Sequence, residues 1–115
     1  MTIDALQMID IIEDMQHFME KRRPDEDIRH ELDLDYRIEG QSIFIYSIRP
    51  RWDKPSVLMH LDDAKITFVK SSNEWRLFWP RANLKWERYE PKRQFKSLAK
   101  ALEEIDADEF GCFWG

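Results

Sequence analysis

The sequence predicts an α+β domain, an antiparallel sheet of about five strands bracketed by an N-terminal and a C-terminal helix. Three observations carry this. Apolar residues recur every three or four positions in the first twenty residues and again near the end, the period of an amphipathic helix. The middle of the chain alternates apolar and polar residues, the period of a strand with one wet face. The strand-like segments are separated by short turns, whereas parallel strands need crossover helices between them. The length of 115 residues and a hydrophobic fraction of 43% suit a single domain, residues 1–115, with enough apolar bulk to close one core.

The first helix is expected from Thr2 to about Arg22, with Ala5, Met8, Ile9, Ile12, Met15 and Met19 as its apolar stripe and Ile11 and Phe18 widening it. Asp4 suits the positive end of the helix dipole, and Lys21, Arg22 and Arg23 suit the other. Pro24 stops it, and Pro24 to His30 can add one further helical turn. Leu32, Leu34, Tyr36 and Ile38 then alternate with Asp33, Asp35, Arg37 and Glu39 as a first strand, and Gly40 turns the chain. In the second strand, Ser42 to Ile48, Ile43 and Ile45 face one way and Phe44, Tyr46 and Ile48 the other, so it should be central or covered on both sides. Pro50 and Pro55 cannot donate to a ladder, and Arg49 to Pro55 reads as a loop.

Ala64 to Lys70 and Trp75 to Trp79 read as a hairpin about Ser71-Ser72-Asn73. Pro80 to Asn83 turns into a last strand, Leu84 to Tyr89, completing a meander. Parity places Trp75, Leu77 and Trp79 on one face against Arg76 and Phe78. It also places Leu84, Trp86 and Arg88 opposite Lys85, Glu87 and Tyr89. Phe95, Leu98, Ala99, Leu102 and Ile105 mark the closing helix. The tail holding Phe110, Cys112, Phe113 and Trp114 is too apolar to stay free. It should fold back beneath that helix or dock into a second subunit.

A mean hydropathy of -0.67 leaves no membrane-spanning stretch, and no signal peptide is evident, so a soluble cytoplasmic protein is expected. The net charge of -5 is unevenly spread: the segment from Arg49 to Arg93 is basic, and both flanking parts are acidic. Catalytic candidates are poor. His17, His30 and His60 lack the spacing of metal ligands, and the lone Cys112 excludes an internal disulfide. The carboxylates of Asp62-Asp63, Glu103-Glu104 and Asp25 to Asp27 read as solvated acids, and no phosphate-cradling or nucleophile motif occurs. No catalytic residue, metal or cofactor is therefore assigned.

The residues that suggest a function are Arg49, Arg51 and Trp52, with Arg76, Trp79, Arg81, Lys85, Trp86 and Arg88. Arginine forks bind carboxylate or phosphate and indoles offer stacking faces. At least two tryptophans are expected in the core, and Pro50 and Pro55 are expected to hold Trp52 against the sheet. The reading is a non-catalytic binding or interaction module, monomeric or homodimeric, whose partner is a protein or a small anionic ligand. Single-stranded nucleic acid on the basic aromatic strands is the alternative, and an enzyme of unknown reaction ranks below it.

Tyr36-Arg37-Ile38-Glu39-Gly40, Arg49-Pro50-Arg51-Trp52-Asp53 with Pro55, and Trp75, Leu77, Trp79, Arg81, Leu84-Lys85-Trp86 and Tyr89 form an ordered set that ends in Phe113-Trp114-Gly115. With these blocks the chain resembles the bacterial domain-of-unknown-function 3024 family over nearly its whole length. The resemblance implies no activity. Val57 to Met59 stands where that family usually has a further tryptophan. Glu87 stands where a histidine often follows the Lys-Trp pair, which removes the most tempting catalytic base.

Overall fold

The computed structural model describes residues 3–83 and 85–114. Its order is α1 (Ala5–Arg22), a short 3-10 turn (Glu26–Ile28), β1 (Asp33–Glu39), β2 (Ser42–Pro50), β3 (Leu58–Val69), β4 (Glu74–Pro80), β5 (Trp86–Arg88) and α2 (Leu98–Ala107). The strands form one antiparallel meander in the order β1-β2-β3-β4-β5, as the short turns required. Gly40 turns β1 into β2 with a φ of +60°, a backbone that a residue with a Cβ rarely adopts.

Both helices cover one face of the sheet. Asp4 caps α1 by accepting the Gln7 amide, and Ser97 caps α2 by accepting that of Lys100. Ile11, Met15 and Phe18 of α1 meet Leu98, Ala101, Leu102 and Ile105 of α2 over Leu34, Ile43, Ile45, Ala64, Ile66, Phe68, Trp75 and Leu77. The apolar face of α1 is thus centred on Ile11, Met15 and Phe18, while Ile9 and Ile12 of the expected stripe are exposed. The sheet meets only a narrow arc of a helix that is apolar over a wider one. Phe95 precedes α2 because its backbone pairs with Trp75 in an isolated bridge, which keeps it extended.

Among the described residues no helix lies over the other face of the sheet. β2 is central in the sheet order, one of the two placements its apolar faces implied, and among the described residues no second layer covers its outer face. Phe44, Tyr46 and Ile48 are half-buried by neighbouring side chains instead. β3 begins at Leu58, six residues before the expected start, because the pairing of β2 with β3 continues through Arg49–Met59 and Pro50–Leu58. Pro50 does end the ladder, two residues beyond the strand end at Ile48 that a loop starting at Arg49 implied. The expected strand start at Leu84 lies outside the described residues, and regular pairing of β5 runs from Trp86 to Arg88.

The tryptophans also depart from expectation. Only Trp75 is buried, with 5% exposed; Trp79, Trp86 and Trp114 are half-buried, and Trp52 is 91% exposed. Trp52 does not pack on the sheet. Its loop is ordered by backbone bonds between the Arg51 amide and the Val57 carbonyl (2.8 Å) and the Val57 amide and the Lys54 carbonyl (2.9 Å), and its ring stands in solvent. No helix among the described residues is long and apolar enough to cross a membrane.

Candidate functional site

The sequence-chosen residues lie in four places. Arg49, Arg51 and Trp52 belong to the β2–β3 hairpin, which overshoots the sheet: β1 begins opposite Ile48, and β4 reaches β3 only at Lys65. Among the described residues the end of this arm therefore has no neighbouring strand. It exposes Val57, Leu58 and Leu61 as well as Trp52, while the Arg51 guanidinium grips Asp53 through Nε (3.0 Å) and Nη2 (2.7 Å). Arg81 and Lys85 sit in the β4–β5 turn at the same end of the sheet. The Arg81 amide donates to the Lys85 carbonyl, and Arg81 Nε lies 3.3 Å from Glu87.

Arg76, Trp86 and Arg88 lie on the open face. Arg76 reaches Glu74 at 3.4 Å, and Arg88 Nη2 donates to the Arg93 carbonyl while its Nε is buried without a partner. Trp79 goes to the helix-covered face, where it packs on the core with Trp75 and Leu77.

Alternation also brings together on the open face residues that were not singled out for it. Lys65 Nζ lies 5.7 Å from the Phe44 ring, 5.3 Å from Phe78 and 6.0 Å from Trp86. Arg37 lies 4.4 Å over Phe44 and is held there by Asp62 (2.8 Å) and Glu39 (3.1 Å), whose carboxylates raise the guanidinium pKa further above its ordinary value. His60 stacks on Tyr46 at 5.2 Å. The two apolar faces of Ser42 to Ile48 were the available signal. The physical result is that long cationic side chains, not a protein layer, cover these rings.

At the root of the arm, on the helix-covered side, is a cleft of about 200 Å³ lined by Arg22, Pro24, Leu32, Ser47, Arg49, Asp63 and Trp114, among others. A β-bulge shapes it. β2 pairs Ile45 with Ala64 but Tyr46 with Asp62, so Asp63 is an extra residue in β3. The bulge aims Asp63 inward, where its Oδ2 accepts a short hydrogen bond from the hydroxyl of Ser47, a buried residue. Burial pushes the Asp63 carboxyl up to about 6, against the opposing pull of the Ser47 bond and of Arg49. Sequence reasoning read Asp62-Asp63 as solvated acids because nothing in a run of residues announces a bulge. Asp62 does face outward, to Arg37.

The cleft is closed from the far end of the chain. Trp114 donates its indole N–H to the Ile105 carbonyl (2.9 Å), and Arg22 lies over its ring at 4.4 Å while bonding Asp106. Cys112 is half-buried, and burial raises its thiol pKa, so it has none of the character of a reactive thiolate. Among the described residues no group of three or more His, Cys, Asp or Glu is placed to hold a metal ion.

No curated protein and no solved structure is similar enough to the chain to count as a match. The family described as a domain of unknown function (DUF3024) matches residues 3–115, and with essentially the whole chain covered this α+β protein belongs to that family.

Proposed function

We propose that this protein is a non-catalytic interaction module that engages a protein partner through the β2–β3 arm, with Trp52 as the anchor. The observation that carries the reading is the 91% exposure of Trp52 on an ordered loop. A tryptophan presented to solvent without stabilising its own fold is the side chain best able to anchor an interface, above all beside apolar Val57, Leu58 and Leu61 and an arginine. Arg51, already bonded to Asp53, meets a partner in a fixed orientation. A cytoplasmic setting agrees with the single cysteine.

Single-stranded nucleic acid on the open face is less well supported. The ring faces that bases would need are occupied by Arg37 and Lys65, and Arg37, Arg76 and Arg81 are paired with carboxylates.

A photo-crosslinking amino acid at position 52, with the same residue at exposed Glu20 on α1 as control, tests the reading in cells. A discrete protein adduct is expected from position 52 and not from position 20. Trp52→Ala should leave the purified protein's unfolding free energy within about 0.5 kcal/mol of the parent, while weakening binding to the captured partner by about thirtyfold or more. Equal labelling from both positions, or none from position 52, removes the arm as the contact surface.

A further inference from the structure

The cleft at the root of the arm holds two charged groups that the described residues leave incompletely used. Arg49 lines it and, among the described residues, has neither an ion pair nor a side-chain hydrogen bond. Asp63 spends one oxygen on Ser47, and among the described residues its Oδ1 has no protein partner. The two do not pair with each other, although Arg49 is near enough for its charge to act on Asp63. The remaining charges are committed: Asp33 is gripped by Arg23 at 2.8 and 2.9 Å, and Arg22 is held between Asp106 and the Trp114 ring. An available cation and an available carboxylate oxygen thus share one small cleft with apolar Pro24, Leu32 and Trp114.

This arrangement selects among ligands by chemistry. An inorganic anion would satisfy Arg49 but face the Asp63 carboxylate. A simple amine would satisfy Asp63 and ignore Arg49, and a metal ion would find one uncommitted carboxylate, since Asp33 is held by Arg23. We propose that the cleft binds a small zwitterion, a carboxylate beside an ammonium group with a short apolar side chain, the chemistry of a free aliphatic α-amino acid. The ligand carboxylate meets the Arg49 fork, its ammonium donates to Asp63 Oδ1, and its side chain lies against Leu32 and the Trp114 indole. The volume of about 200 Å³ equals about seven waters, room for an amino acid of leucine size. The proposal is independent of the arm reading, since Trp52 does not line the cleft.

The test is an amide-shift titration of the full chain with L-leucine at neutral pH, alongside 3-methylbutylamine and 4-methylpentanoate, which each keep one charged end. Leucine should shift the amides of Ser47, Arg49 and Asp63 and the indole N–H of Trp114, and bind at least about tenfold more tightly than either analogue. Asp63→Asn and Arg49→Met, each checked for a parent-like dispersed spectrum, should each weaken leucine by about tenfold or more. Trp52→Ala should not alter it. The proposal fails if no aliphatic α-amino acid shifts these resonances at about 10 mM, if an analogue binds as well as leucine, or if Asp63→Asn binds leucine like the parent.

Discussion

Asp63 owes its position to one extra residue in β3. Without the bulge, strict alternation would keep neighbouring residues on opposite faces and leave Asp63 no reason to meet Ser47. Burial holds its carboxyl near 6 in the folded chain against 3.8 ordinarily. The folded state therefore binds more protons than the unfolded state between these values, so this group's contribution to stability falls as pH rises from about 4 to 6 and stays low above that. Two units correspond to at most about 3 kcal/mol, and partial solvent access through the cleft reduces this to about 1–2 kcal/mol. Asp63→Asn keeps an acceptor for the Ser47 hydroxyl while removing the charge. Urea unfolding should find the variant more stable than the parent by about 1–2 kcal/mol at pH 7.5, with the difference vanishing near pH 4. Equal stability at pH 7.5 means that water already solvates this carboxylate.

At the scale of elements, the end of α2 and the tail form one unit. Asp108 ends the helix in the left-handed region, φ 43°, and its carboxylate accepts the amides of Phe113 (3.0 Å) and Trp114 (2.9 Å). Phe113 is thereby buried against Tyr89, whose hydroxyl donates to Glu104 of α2. The fold-back was legible in the apolar composition of the tail. Which rings would enter was not: Phe113 is buried, and Phe110 is exposed although it has the same apolar side chain. The two-point grip by Asp108 selects between them. Deleting Phe113 to Gly115 should lower the unfolding free energy by about 3 kcal/mol or more, the scale for truncating a buried aromatic. Asp108→Ala, which leaves the rings in place, should lower it by about 1–3 kcal/mol through two unsatisfied amides. Thermal melts of both variants check this, and parent-like melting of the deletion rules out a structural role for the tail.

At the scale of the whole molecule, a net charge of -5 opposes the approach of a polyanion, and the basic middle segment does little to offset it. Its cations are spread over the arm, the open face and the β4–β5 turn, and Arg51, Arg76 and Arg81 each have an acidic partner. Fluorescence anisotropy with labelled single-stranded oligonucleotides should show no submicromolar affinity at physiological salt, and any binding at low salt should weaken steeply as salt rises. Submicromolar affinity in physiological salt reverses the ranking of the two readings.

The sequence by itself determined the α+β class and the meander order. Periodicity is a local property, and short turns admit only neighbouring antiparallel pairings. It also determined that Arg51 and Trp52 lie where the chain leaves the sheet, because Pro50 and Pro55 restrict that segment. Tertiary structure decided that Trp52 stands in solvent rather than on the sheet, since that depends on how far β2 and β3 overshoot β1 and β4. It also decided that Arg49, Ser47 and Asp63 share a cleft with Trp114. Strand register, one bulge and a tail returning from the end of the chain bring them together, and none of these leaves a mark in the order of the residues around Asp63.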